Sequence, residues 1–158
     1  MTYHYSESDR LSFVEEPTLA YAAINTAYSL RTFLQDRLSL VKFIQTGIPY
    51  SFFDKLKSQL PFSTQEWTEI LGISLKSLQR YQNDQRSFKP IQSEKIISIA
   101  EVIQLGIDVF EDMDTLKLWL DTPTFALADH KPKDLLHDAY GKELVMTELI
   151  AIEHGIFA

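Results

Sequence analysis

Between Glu94 and Asp108 the polar positions Glu94, Ser98, Glu101, Gln104 and Asp108 fall 4, 3, 3 and 4 residues apart, and nearly everything else is Ile, Val, Leu or Ala. On a helix of 3.6 residues per turn that spacing draws a single narrow polar stripe. The rest of the circumference is apolar and has to be covered on several sides. The segment is therefore either the central spine of the fold or part of an interface between two copies. Whichever holds, the chain is built around a buried helix.

The surrounding sequence agrees with an all-α fold, because no strand-and-turn alternation is evident. Residues 1–16 are polar and irregular and read as an arm. Helical spacing of Leu30, Phe33, Leu34, Leu38, Val41 and Ile44 predicts a helix over 17–45, stopped by Gly47. Pro49 then opens a helix over about 50–60, a position where a missing N–H does no harm, and Pro61 ends it. Ser63 and Glu66 have the S-x-x-E form of a capping box, starting a helix with Trp67, Ile70 and Leu71 on one face. After "GIS", Ser74 caps a further helix holding Leu75, Leu78 and Tyr81, in which Leu75 and Leu78 are expected to face inward. "NDQRSFKP" reads as a loop closed by Pro90. Beyond the spine, "EDMD" (Glu111–Asp114) reads as helix capping by acidic groups, followed by a short helix ending "LWLDTP". An irregular link, "TFALADHKP", leads through "KDLLHDAYG" to a last helix over about 142–154. There Val145, Leu149 and Ile152 align, and Gly155 is placed for a left-handed cap with Ile156 folding back. Trp67, Leu78, Trp119 and Leu120 are assigned to core packing.

The net charge of −7 on 158 residues argues against nucleic-acid binding by bulk electrostatics. Its distribution changes that: between 74 and 95, Lys76, Arg80, Arg86, Lys89 and Lys95 face only Asp84 and Glu94, a local balance of plus three. Such an island can touch phosphate locally, with modest and salt-sensitive affinity. The strongly acidic remainder suits a basic protein partner. There is no Cys, which excludes disulfides and thiolate zinc sites and fits a reducing cytoplasm. No apolar run approaches the roughly 20 residues that span a bilayer, and "MTYHYSESDR" lacks the order of a signal peptide. A soluble cytoplasmic protein with no membrane contact is expected.

Catalytic chemistry finds little to stand on. Asp134, His137 and Asp138 are too few ligands for a metal centre. "SLVK" (Ser39–Lys42) matches the S-x-x-K pattern without its companion motifs, and five glycines in the chain build no phosphate loop. No enzyme, cofactor or metal is expected. What remains is "STQEWTEILGISLKSLQRYQ" (Ser63–Gln82), with the grammar of a helix-turn-helix and equally of an ordinary helical corner. In the first reading Lys76, Ser77, Gln79 and Arg80 point outward, where Lys and Arg reach phosphate or guanine, Gln suits adenine and Ser can bond phosphate or a base.

The run "GIPYSFFDKL…LPFSTQEWTEILGISLKSLQRYQND…FKPIQSEKIISIAEVI", followed by "VFEDMDTLKLWLDTP…ALADHKPKDLL…YGKELVMTELIAIEHGIFA", resembles the Xre-type antitoxins of bacterial RES–Xre toxin–antitoxin pairs, within the Xre/MbcA/ParS group. The resemblance covers residues 47–158. It implies a helix-turn-helix N-terminal half, residues 47–95 behind an arm and helix over 1–46, that binds the operon's own promoter. A homodimer is expected because one short recognition helix binds weakly and a two-fold site doubles the contact. A helical C-terminal toxin-binding half, residues 96–158, would bind a cognate RES-type toxin that consumes NAD and occlude its active site. The toxin-binding site is placed at Glu153, His154, Gly155, Ile156, Phe157 and Ala158, an apolar tail behind a glycine hinge, with Phe157 as anchor. From the residues alone the tail serves equally well as a local helix cap. In the family a Gly or Asn often stands between the "TP" and "KP" elements, and this chain departs from that. A stand-alone helix-turn-helix regulator, sensing a small molecule, is the competing function.

Overall fold

The computed structural model describes residues 27–156, so the arm over 1–16, the first part of the predicted 17–45 helix, Phe157 and Ala158 lie outside the described residues. The described residues fold as helices α1 (Ala27–Gln35), α2 (Arg37–Thr46), α3 (Tyr50–Gln59), α4 (Thr64–Leu71), α5 (Leu75–Asp84), α6 (Pro90–Phe110), α7 (Met113–Asp121) and α8 (Ala139–Glu153). Two 3-10 turns, Phe125–Leu127 and Pro132–Leu135, connect α7 to α8. Among the described residues no strand forms, and only isolated bridges pair Pro49 with Ser87 and Thr124 with His130.

α6 is the spine. It packs against α1, α2, α4, α7 and α8, and Ile96, Ile97, Ile99, Ala100, Val102 and Ile103 are buried. The helix is longer than the polar stripe suggested, because Pro90 is its first residue rather than the close of a loop. The stripe itself is not a solvent face throughout. Gln104 is buried, Glu101 is paired with Arg37 of α2 and, at 2.8 Å, with Lys142 of α8, and Asp108 is paired with Arg31 of α1. Polar residues on the spine thus serve as docking points for the helices around it.

These pairs set a pH dependence. Burial pushes the Glu101 carboxyl up, but hydrogen bonds and charge from Lys142 and Arg37 outweigh it and hold the group below its ordinary 4.5. Glu66 behaves likewise, with burial opposed by Lys133 and by its Ser63 cap. Carboxyls lowered in the folded state stabilise it above the unfolded value and lose that contribution as pH falls through the folded one. Thermal melting is therefore expected to hold from neutral pH down to about 5 and to drop below it. Glu101→Gln should lower the melting temperature at pH 7 and flatten the acid limb. An unaltered acid limb in that variant would remove the ion-pair account.

Several local expectations need correction. The single helix over 17–45 is broken at Asp36, whose carboxylate caps α2 by accepting from the Ser39 N–H. The break lets α1 and α2 each lay a side against α6. α5 runs on to Asp84, and Gln85 ends it in the left-handed region. α8 begins at Ala139, not near Lys142, because Asp138 caps it by accepting from the Gly141 N–H at 2.9 Å. Gly141 is required there for space: a Cβ would collide with the backbone carbonyl of Leu135. Trp119 is half-buried at the rim of the core, tilted against Phe110 with ring centres 5.7 Å apart, whereas Trp67, Leu78 and Leu120 are inside it.

Candidate functional site

The α4–turn–α5 unit is fixed by local chemistry first. Ser63 accepts from the Glu66 N–H at 3.1 Å while the Glu66 carboxylate accepts from the Ser63 N–H at 2.7 Å, completing the capping box. Gly72 ends α4 at φ +65°, a conformation glycine adopts without strain. Ser74 then caps α5 by accepting from the Ser77 N–H. Beneath the unit lies an aromatic floor. Trp67 meets Phe53 at 5.1 Å and Phe62 at 5.6 Å, and Tyr81 stacks on Phe88 at 4.5 Å.

On this base α5 presents Lys76, Gln79 and Arg80 to solvent, and none of the three has a hydrogen-bond or charge partner among the described residues. Ser77 does not join them. It is half-buried, and its hydroxyl accepts from the Ser74 hydroxyl at 3.0 Å. Leu75 also departs from expectation, being 46% exposed rather than packed inward. Successive helical residues turn by roughly 100°, which puts Leu75 about 60° from the buried Leu78 and about 120° from Tyr81, at the edge of the core face. Arg86 is held over the Tyr81 ring, 5.6 Å from its centre, and 3.3 Å from Asp84.

The C-terminal half meets this unit through Lys133. Its ammonium lies 2.7 Å from Glu66 and 2.5 Å from Asp121, and the two carboxylates, Asp121 foremost, hold its pKa well above the ordinary lysine value. The capping box of α4 is thereby tied to the turn that feeds α8. No short-range pattern reveals that link, since Glu66 and Lys133 are far apart in the chain. Between the two 3-10 turns Ala128 and Asp129 both take positive φ, 52° and 61°, where a non-glycine residue costs roughly 1–2 kcal/mol. Hydrogen bonds from Asp129 N–H to Thr124 at 2.9 Å and from Ala128 N–H to Phe125 at 3.0 Å hold them there. The link keeps a shape suited to glycine or asparagine without either residue at these two positions.

α8 ends as its sequence predicts. The Gly155 N–H donates to Ile152 at 3.0 Å and the Ile156 N–H to Ala151 at 2.8 Å, the paired bonds of a Schellman motif, with Gly155 at φ +66°. Glu153, His154, Gly155 and Ile156 are all exposed, and the Ile156 side chain, 65% accessible, does not close the cap by packing. Phe157 and Ala158 lie outside the described residues. Sequence reasoning missed the outer face of α8, where Tyr140 is 83% and Leu144 55% exposed. Both lie opposite Val145 and Leu149; helical period already placed Leu144 there, and starting the helix behind an Asp138 cap would have added Tyr140. Between 96 and 158 twelve Asp and Glu face four Lys. A groove of about 570 Å³ lies where α4, α6 and α8 converge, floored by Ile70, Ile99 and Met146.

Among the described residues no group of three or more His, Asp or Glu is placed to hold a metal ion, and no helix is long and apolar enough to cross a membrane. Residues 39–101 match the model of the antitoxin Xre-like helix-turn-helix domain. Residues 105–155 match that of the antitoxin Xre/MbcA/ParS C-terminal toxin-binding domain. The chain is 27% identical over 114 residues to an antitoxin Xre of Photorhabdus laumondii, covering 72% of this chain and 77% of that one. It is 28% identical over 120 residues to an antitoxin Xre of Yersinia enterocolitica, covering 75% and 81%. Its fold is similar to a chain in the crystal structure of the M. tuberculosis MbcT–MbcA toxin–antitoxin complex, with a TM-score of 0.51 and 22% identity over 66% of this chain and 93% of that one. With the helix-turn-helix model matched over residues 39–101 and the C-terminal toxin-binding model over 105–155, in order along one spine, this chain belongs to the Xre/MbcA/ParS family of antitoxins.

Proposed function

We propose that this antitoxin neutralises a RES-type, NAD-consuming toxin by direct binding, with the segment Glu153–Ala158 occluding the toxin's active site, and that as a homodimer in the cytoplasm it represses its own promoter through α5. The observation that carries the first half is the end of α8. A complete Schellman motif turns the chain away from the helix while leaving Ile156 uncovered, so the apolar side chain that this cap commonly packs is available to a partner. The acidic surplus of the C-terminal half favours a toxin with a basic rim, which speeds encounter and fixes orientation. The resemblance of the whole 47–158 segment to RES–Xre antitoxins supplies the class of toxin.

Co-expression tests this directly. A RES-type reading frame adjacent to the gene, expressed alone, should deplete cellular NAD and arrest growth. Expression of both should restore NAD, and the two chains should purify together. Continued NAD loss in the presence of folded antitoxin would sink the reading.

For the second half, Lys76, Gln79 and Arg80 supply unpartnered groups suited to phosphate and base edges on the helix that a helix-turn-helix inserts into the major groove. Arg80→Ala should weaken promoter binding at moderate salt by about 1–3 kcal/mol, with helicity, melting and toxin neutralisation preserved. Lost thermal stability with normal DNA binding would assign Arg80 to the fold instead. A stand-alone regulator remains the second reading, favoured by the groove between α4, α6 and α8, whose size suits a small molecule. Such a protein would keep Arg80-dependent DNA binding and have no effect on NAD loss.

A further inference from the structure

Leu75 is the first residue of α5, directly behind the Ser74 cap, and it is 46% exposed. Single exposed leucines are common and by themselves mean nothing. The surroundings of this one are less common. Leu75 and Gln79 are separated by one helical turn and so share a face, while Lys76 and Arg80 form the adjacent row. The opposite side of the helix is anchored by Leu78 and by the stack of Tyr81 on Phe88. An apolar side chain therefore stands among three unpartnered polar ones on the surface that would meet DNA.

In helix-turn-helix proteins the N-terminal residues of the second helix contact base edges, and the major groove offers one apolar feature, the 5-methyl group of thymine. We infer that Leu75 reads a thymine methyl in the major groove, in the same half-site as an adenine contacted by Gln79. This rests on the DNA-binding reading of α5 given above and adds to it a base preference. The dimensions agree. Four residues of helix advance about 6 Å, close to two base-pair steps of 3.4 Å, so Leu75 and Gln79 reach base pairs about two steps apart in one half-site. Glutamine pairs in two bonds with adenine N6 and N7, so the two contacts together favour A·T pairs about two steps apart. The operator half-site would carry an A·T pair at the position under the start of α5.

Uracil differs from thymine only by that methyl, which makes the test clean. The fragment upstream of the gene is amplified once with dTTP and once with dUTP, and binding of the full chain to each is followed by fluorescence anisotropy. Wild type should bind the uracil fragment about fourfold more weakly for each methyl it covers. Leu75→Ala, at an exposed position where alanine is a good helix former, should melt like wild type and bind both fragments alike, at the level of wild type on uracil. Equal binding of wild type to both fragments, or a thymine preference retained by Leu75→Ala, would overturn the inference while leaving DNA binding by α5 intact. Failure of wild type to bind the thymine fragment at all would remove the DNA-binding reading and this inference with it. Weakened self-association of Leu75→Ala in sedimentation would place Leu75 between copies of the chain and overturn it as well.

Discussion

A chain lacking Gly155–Ala158 is expected to fold, to bind promoter DNA and to leave the toxin's NAD consumption unchecked. The fold should survive because, among the described residues, the last buried side chain of α8 is Leu149, and Glu153 to Ile156 are exposed. What the deletion removes locally is the pair of capping hydrogen bonds from Gly155 and Ile156, worth little at a helix end that water can reach. What it would remove from the proposed toxin interface is larger. A buried aromatic anchor commonly accounts for at least about 2 kcal/mol of binding, roughly thirtyfold in affinity. Phe157→Ala, which keeps the glycine cap, should reproduce most of the loss and separates anchoring from helix fraying. The measurement is NAD level in cells expressing both proteins, with circular dichroism and promoter binding as controls. Full neutralisation by the shortened chain would end the occlusion model, and the toxin interface would then have to be sought along Tyr140 and Leu144.

Trp67→Ala is expected to cost roughly 3–5 kcal/mol, a large part of the 5–15 kcal/mol typical of a domain. Its side chain is fully buried, with Phe53 and Phe62 set edge-on against the ring. Its removal would open a void beneath α4, in the aromatic floor on which α4 and α5 rest. Promoter binding and toxin neutralisation should therefore fail together, through unfolding. Trp67→Phe is the informative companion. The indole Nε1 is buried without a hydrogen-bond partner among the described residues, so the smaller ring gives up volume but no polar contact there, and its cost should be clearly below that of alanine. Denaturant unfolding of the two variants measures the difference. An alanine variant as stable as wild type would show that the aromatic cluster is not what supports the helix-turn-helix.

The boundaries of the central elements were legible because their causes are local. Ser63 with Glu66, Gly72, Ser74, Asp112 and Gly155 each act on backbone groups within a few residues, and all of them cap or stop helices as the sequence indicates. The buried spine was legible for a similar reason, since a run of Ile, Val and Ala with one polar stripe constrains its own surroundings. The resemblance added the two functional halves, and the outward placement of Lys76, Gln79 and Arg80 followed from helical period alone.

Tertiary structure decided what depends on partners distant in the chain. The break at Asp36, the burial of Gln104 and the pairing of Glu101 with Arg37 and Lys142 follow from how α1, α2 and α8 pack on α6. So does the Lys133 link that joins the capping box of α4 to Asp121 and the turn before α8. Leu75 and Trp119 are residues whose helical phase puts them at the edge of a core face, where period does not choose between inside and outside. One became the exposed first residue of α5 and the other a half-buried rim. Hydrophobic period states which side of a helix turns inward, whereas the width of the covered strip is set by the neighbouring helices, and those are brought together only by the fold.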